Sequence, residues 1–442
     1  MKRVLAATAV AIALCALWST LVVTWALRGV QTPIATRGDA KAFMAAAVER
    51  VKDAGIGNCA LALIEDGRIF DSYFYSVGDP INDGTLFQMA SVSKWVTSWG
   101  VLALVQQGRL ELDAPVSRYL TRWRLPPSEF DNDGVTVRRL LSHTAGLTDR
   151  LGYFGFPPGT PAQSLEDSLT YATDHTPIAD GHARVGYAPG SRWLYSGGGF
   201  TLLQLLIEEV THDRFAHFMQ QTVLDPLGMT RSTFDEDAAM ARGVATSYSE
   251  ALVPATHYHF SSPAAAALYS DLTDLARFAL AHLPDEDGAA PGRSVLSPQT
   301  VAAMRAPAAQ LFGRDSWGLG TMLFAKSGAD HVFGHDGNNF PAINHAIRID
   351  PVTRSGIIIL SSGSDEFPAR FAADWVYWKT GNVDFFGFLS DLPHLLGTIG
   401  IGAAVIVVLV ATWVIRDTRS RWRRIALVGI GGTARDGCRP GG

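Results

Sequence analysis

Phe87-Gln88-Met89-Ala90-Ser91-Val92-Ser93-Lys94-Trp95-Val96-Thr97-Ser98-Trp99-Gly100-Val101-Leu102 decides how this chain folds. Trp95, Val96, Trp99, Leu102 and Val105 recur at helical spacing and the pattern stops near Gly108, so Ser91 falls at a helix N-terminus. There the backbone N–H groups lack intrahelical partners and the helix dipole favours negative charge, which suits a tetrahedral oxyanion. The three-residue step sets Ser91 and Lys94 on one face, one turn apart. A serine hydroxyl is a weak nucleophile until a base takes its proton, and lysine can be that base only where burial or nearby cations keep it neutral. Arginine could not replace it, because it stays charged. Among the 37 Lys and Arg residues, Lys94 is the only lysine with a serine three positions before it. Alone, such a motif reads as a capping serine beside a solvated lysine.

Two further segments corroborate it. Trp193-Leu194-Tyr195-Ser196-Gly197-Gly198-Gly199-Phe200 precedes a helical pattern over Thr201 to Val210, and Phe333-Gly334-His335-Asp336-Gly337-Asn338-Asn339 follows a short strand-like run, His331 to Gly334. A tyrosine can share protons with Ser91 and Lys94, activate a hydrolytic water or protonate a leaving group. A strand end bearing His335 can supply a donor or a cation. The N–H after Gly337, that of Asn338, can complete an oxyanion hole with that of Ser91.

Around these segments, Asp39 to Ala54 has helical spacing, and Ala60 to Ile64 and Ile69-Phe70 flank the turn Glu65-Asp66-Gly67 as a hairpin. Trp317 to Phe324, His331 to Gly334, Ile343 to Ile349 and Gly356 to Leu360 read as strands, with a helix near Pro368 to Lys379. From Ser91 to Arg305 helices such as Leu272 to His282 alternate with Pro- and Gly-rich loops. Strands at both ends imply one antiparallel sheet, an α/β sandwich with flanking helices and a mostly helical insertion. Val30 to Gly38 and Gly381 to Leu392 look like linkers.

Val4 to Leu27 is an uncharged run of 24 residues after Lys2 and Arg3, and Leu395 to Ile415 is one of 21 followed by Arg416, Arg419, Arg421, Arg423 and Arg424. Each can span a hydrocarbon core of about 30 Å. Basic flanks mark the cytoplasmic side, so both termini are expected in the cytoplasm and the intervening domain outside the cytoplasmic membrane. The expected layout is an uncleaved signal anchor over 1–30, a catalytic domain over 31–385, a second transmembrane helix over 393–416 and a basic cytoplasmic tail over 417–442 that looks disordered after Arg424.

Of 442 residues, 47% are hydrophobic and 18% charged, which permits a large core; a net charge of −5 with no basic run outside the tail argues against a nucleic-acid partner. Cys15, Cys59 and Cys438 suggest neither a disulfide framework nor a zinc site, and Leu14 before Cys15 argues against lipidation. His257 and His259 lack a third ligand, and Gly318 and Gly320, read within a strand, form only a fragment of a dinucleotide fingerprint. No metal is expected.

The three segments together resemble the serine β-lactamase-related family of class C β-lactamases, penicillin-binding proteins, D-amino-acid peptidases and esterases, which carries an SxxK motif, a tyrosine motif and a KTG or HxG strand motif in this order. Ser91-Val92-Ser93-Lys94, Tyr195-Ser196-Gly197 and His335-Asp336-Gly337 match them. Leu140 to Leu147, Asp225 to Met229 and Asp274 to Phe278 are also similar to family stretches, and the resemblance covers roughly residues 40 to 380. It implies a β-lactamase/transpeptidase-like fold and a Ser91 acyl-enzyme served by Lys94 and Tyr195. The backbone N–H groups of Ser91 and Asn338 then form the oxyanion hole, with no cofactor, on a small-molecule or peptide substrate. His143 is expected to hold its loop. Gly197 stands where many members have Asn, which weakens the case for amides or β-lactams and favours esters. His335 replaces a lysine charge, so carboxylate recognition is expected to titrate between about pH 5 and 8. The alternatives are a β-lactamase proper and a non-catalytic binding or regulatory module.

Overall fold

In the computed structural model, which describes residues 2–28, 33–150, 152–285, 287–339, 342–364 and 366–432, Asp66 and Gly67 take φ of 53° and 84°. Two successive left-handed residues match the twist of a tight hairpin. They join β1 (Asn58–Glu65) to β2 (Arg68–Ser76). Along β1, Cys59, Leu61 and Leu63 enter a core with Phe43, Phe371 and Trp375, whereas Ala60, Ala62 and Ile64 enter another with Trp95 and Phe278. Burial on both faces explains why this strand is an unbroken apolar run.

A helical insertion carries the two-stranded sheet of β3 (Phe87–Gln88) and β4 (Tyr269–Ser270). The chain then returns through β5 (Ala309–Leu311), β6 (Arg314–Trp317), β7 (Met322–Ser327), β8 (Asp330–Asn339), β9 (Ile343–Asp350) and β10 (Ser355–Ser362). Across the large sheet the order is β2-β1-β10-β9-β8-β7-β6-β5, every neighbouring pair antiparallel. Pairing of β1 with β10 closes the expected single sheet. The helices Ala40–Asp53 and Phe367–Thr380 pack on one face; Val92–Gln106, Gly197–Thr211 and Leu272–Leu280 belong to the core on the other.

Three expectations are corrected. The strand expected over Trp317 to Phe324 is two strands, β6 ending at Trp317 and β7 starting at Met322. Gly318 and Gly320 make the turn between them, where the Leu319 N–H reaches Met304 O (2.9 Å) and the Gly320 N–H reaches Leu141 O (2.9 Å). Long-range main-chain approach, invisible locally, selects glycine there. The His335-Asp336-Gly337 triplet lies inside β8 rather than at its end, because β9 pairs with it as far as Asn339 while β7 stops at Gly334. Residues 335–339 are therefore left unpaired by β7 on one edge.

The third correction concerns the C-terminal helix. It runs Phe385–Gly432, so much of the expected linker Gly381 to Leu392 is helical, as is the start of the expected disordered tail. Asp384 accounts for the early start: its Oδ1 accepts the Gly387 N–H (2.8 Å) as a cap. Residues 433–442, with Cys438, and residues 30–32 of the other expected linker lie outside the described residues.

The chain divides into two units, residues 33–388 and, taken together, residues 1–32 and 389–442. Leu5–Ala26 and Phe385–Ser420 are long and apolar enough to cross a membrane by length and composition. Within the second unit Trp18 Nε1 donates to Thr398 O (3.3 Å), while the apolar side chains of Ile12, Trp25, Val408 and Trp413 remain exposed.

Candidate active site

The sharp turn before the helix Val92–Gln106 places Ser91. Ala90 takes φ of 46°, a conformation costly for a residue with a Cβ. Ser93 fastens the turn: its Oγ donates to Ala90 O (2.6 Å) and accepts the Leu268 N–H (2.9 Å). Ser91 occupies the N-cap position, yet its side chain makes no capping hydrogen bond. Its hydroxyl instead lies 3.1 Å from Lys94 Nζ, which also donates to Ala265 O (2.6 Å). Lys94 is only 3% exposed, and its Nζ sits 5.2 Å from the Tyr195 ring centroid and 5.8 Å from that of Phe200. Burial brings its amino group down to about 7, against the opposing pull of the Asp149 carboxylate.

Tyr195 arrives just before the helix Gly197–Thr211, its ring centroid 5.2 Å from Lys94 Nζ and its phenol within the electrostatic influence of Ser91. Burial holds that phenol well above its ordinary range, so it stays protonated, while Ser91 works the other way. Ser196 anchors the next residue: its Oγ donates to Asp149 Oδ1 (2.6 Å) and accepts the Gly199 N–H (2.8 Å), while Gly198 N–H donates to Asp149 Oδ2 (2.6 Å). The Ser196 N–H donates to His143 Nδ1 (3.2 Å), and the His143 ring lies 4.3 Å from the Tyr195 ring. His143 thus packs directly on Tyr195 as well as holding its loop. Burial keeps it neutral, its pKa well below the usual range.

Opposite stands the free edge of β8. His335 is 1% exposed, and Nδ1 lies 2.6 Å from the carbonyl of Asp336. That contact assigns the proton to Nδ1 and leaves Nε2 as a buried acceptor, with no hydrogen-bond partner among the described residues. Burial lowers its pKa to about 3, with the charges of Lys94 and Arg348 pushing the same way. The expected titrating cation is therefore a neutral acceptor between pH 5 and 8. Gly337 permits close approach: a Cβ there would meet Met89 O at 2.5 Å and Val92 Cγ2 at 3.1 Å. Asn338 uses its side-chain Nδ2 on Asn344 Oδ1 (2.6 Å). His345 on β9 ties sheet to turn, its Nε2 donating to Gln88 O (2.9 Å) while Nδ1 accepts the Ser361 N–H (3.2 Å).

Gly197 has its own steric cause. A Cβ there would lie 2.5 Å from Gly152 Cα and 3.2 Å from Tyr153 Cε2, so the loop after Asp149 fills the space an asparagine would need. Gly197→Asn is expected to lower stability by about 1–3 kcal/mol through overpacking, seen as a lower thermal midpoint. An unchanged midpoint would show that the loop yields freely.

The structure brings Ser91, Lys94 and Tyr195 together, sets Gly337 against the Ser91 turn, and buries His335 within the influence of Lys94. Asn338 follows on the same strand. Sequence reasoning missed Asp149, His345 and the Trp317 indole, whose ring lies 5.6 Å from His335 and 5.7 Å from Tyr195. An acidic residue two positions beyond Leu147 was the one local signal for Asp149.

Residues 43–382 match the family model described as Beta-lactamase. The chain is 30% identical over 154 residues to Penicillin-binding protein 4* of Bacillus subtilis (strain 168), covering 35% of this chain and 31% of that one. It is 33% identical over 168 residues to Esterase EstB of Burkholderia gladioli, covering 34% and 39%. These matches span only about a third of those relatives' lengths. Among solved structures, the octameric penicillin-binding protein homologue from Pyrococcus abyssi shares the fold, with TM-score 0.63, 23% identity and 77% coverage of each chain.

Proposed function

The chain belongs to the Beta-lactamase family, whose model matches its residues 43–382, and from that membership we propose a membrane-anchored serine hydrolase that forms an acyl-enzyme on Ser91. The carrying observation is the uncapped Ser91 hydroxyl 3.1 Å from a buried amine whose pKa lies at about 7. Neutral Lys94 takes the Ser91 proton as Oγ attacks the substrate carbonyl. The backbone N–H groups of Ser91 and Asn338 receive the oxyanion. Collapse breaks the bond to the leaving group, which takes a proton from Tyr195, itself resupplied by Lys94. Water then attacks the acyl carbon, passes its proton back through Tyr195 and Lys94, and releases the carboxylic acid with Ser91 restored. His335 Nε2, a neutral acceptor, orients a donor group of the substrate or water.

Loss of the asparagine amide at Gly197, its space taken by Gly152, favours an ester over an amide or β-lactam. A cell-wall-type peptide is the second substrate reading, supported by the similarity to Penicillin-binding protein 4*. Exposed apolar helices over Leu5–Ala26 and Phe385–Ser420, each with basic residues at its terminal flank, support two anchors with residues 33–388 outside and both ends in the cytoplasm.

A chromogenic ester bearing a membrane-impermeant sulfonate tests chemistry and side together. Intact cells making the full chain are expected to turn it over as fast as lysed cells. Turnover only after lysis overturns the outward orientation. No turnover in either, with no acyl adduct on the Ser91 peptide, overturns the hydrolase reading in favour of a binding module.

A further inference from the structure

Resting on the hydrolase reading above, we infer that Arg348 and Asp384 are positioning residues of the reaction: a buried Asp336–Arg348–Asp384 bridge holds the strand bearing His335, Gly337 and Asn338 to the first turn of the helix Phe385–Gly432. Arg348 lies on β9, next to β8, and its side chain is fully buried. Nη1 and Nη2 grip the two oxygens of Asp336, the latter pair at 3.2 Å. Nη1 also donates to Ile347 O (3.1 Å), and Nε donates to Asp384 Oδ2 (2.7 Å). The guanidinium carbon stands 3.4 Å from the centroid of the Phe324 ring. A planar fork engaged at this many points fixes direction as well as distance.

Each end of the bridge reaches something functional or structural. Asp336 is the middle residue of the triplet, and its carbonyl receives the His335 Nδ1 proton, so a shift of Asp336 turns the imidazole. Asp384, with a fully buried side chain, splits its duties: Oδ2 takes Arg348, and Oδ1 takes the Gly387 N–H (2.8 Å). A second contact runs in parallel. Phe386, in the same turn, meets the Trp317 ring at 6.1 Å, and Trp317 packs against both His335 and Tyr195.

Stability alone gives weak reason for such an arrangement, since a buried ion pair is often no more stabilising than well-packed apolar residues of similar volume. Geometry gives a better one. Gly337 leaves no slack against Met89, so the edge of β8 must be held along its length if the Asn338 N–H is to meet an oxyanion formed on Ser91.

The experiment compares the full chain in detergent with the charge-free combination Asp336→Asn, Arg348→Met and Asp384→Asn, reading thermal midpoint, kcat and KM on a chromogenic ester. With no charge left unpaired, the combination is expected to melt near the unaltered protein, while kcat falls about ten- to a hundredfold and KM moves much less. An active unaltered protein with unchanged kcat in the combination overturns the positioning role and leaves the hydrolase reading standing. An inert unaltered protein removes both. Should the combination not fold, Arg348→Lys carries the test, since it keeps the charge and loses the two-pronged grip. Its Ser91 acylation rate per folded molecule, with the folded fraction taken from near-ultraviolet circular dichroism, is expected to drop at least about tenfold; an unchanged rate overturns the inference.

Discussion

Ser91→Ala is expected to lower kcat/KM for ester hydrolysis on the order of 10⁴-fold or more, to abolish covalent labelling by an acylating inhibitor, and to leave the thermal midpoint nearly unchanged. The pairing of these outcomes matters more than either alone. A serine that merely capped the helix would cost about 1 kcal/mol of stability on truncation to alanine and nothing in activity. Here the Ser91 side chain makes no capping bond, and its hydroxyl faces Lys94 and Tyr195. Removing it deletes the attacking atom and little else. Retained turnover with a lowered midpoint would return Ser91 to the role of a cap and leave the buried amine of Lys94 without a purpose.

The sheet and the three motif segments were legible because each rests on local chemistry. Asp66-Gly67 names its own turn, and the apolar runs of β1 and β10 name buried strands. Reading failed where the deciding contact came from far along the chain. Gly318 and Gly320 look like strand residues until Met304 and Leu141 are seen to accept their neighbourhood's N–H groups. The length of β8 depends on β9, not on its own residues, and the helix Phe385–Gly432 starts early because Asp384 caps it while bound to Arg348. The charge of His335 was misjudged for the same reason. An imidazole in a sequence carries its solution pKa, and only burial beside Lys94 and Arg348 lowers it to about 3. Gly197 reads in the sequence as a lost amide, but its cause, the main chain of Gly152, is a tertiary contact.

Lys94→Arg is expected to lower kcat/KM on the order of 10³-fold or more, and the unaltered protein to lose activity in acid with one apparent pKa of about 7. The sign follows from the base's task. Below that pH the amine holds its proton and cannot accept that of Ser91, so the rate falls about tenfold per pH unit; above it the rate levels off. His335, at about 3, adds no limb between pH 5 and 8. A limb near 6 that vanishes in His335→Gln would overturn that assignment. Stability moves with pH as well. The folded pKa of Lys94 lies below its ordinary 10.5, so between about 7 and 10 the unfolded chain binds the proton the folded one has shed, and stability rises with pH through that window. Lys94→Met separates the two consequences. It removes the desolvated charge at similar volume, so at pH 6 the variant is expected to be inactive yet to melt higher, despite the lost bond to Ala265 O. An inactive variant that melts lower would mean that the amine holds the site together more than burial strains it, and the low pKa would lose its physical basis.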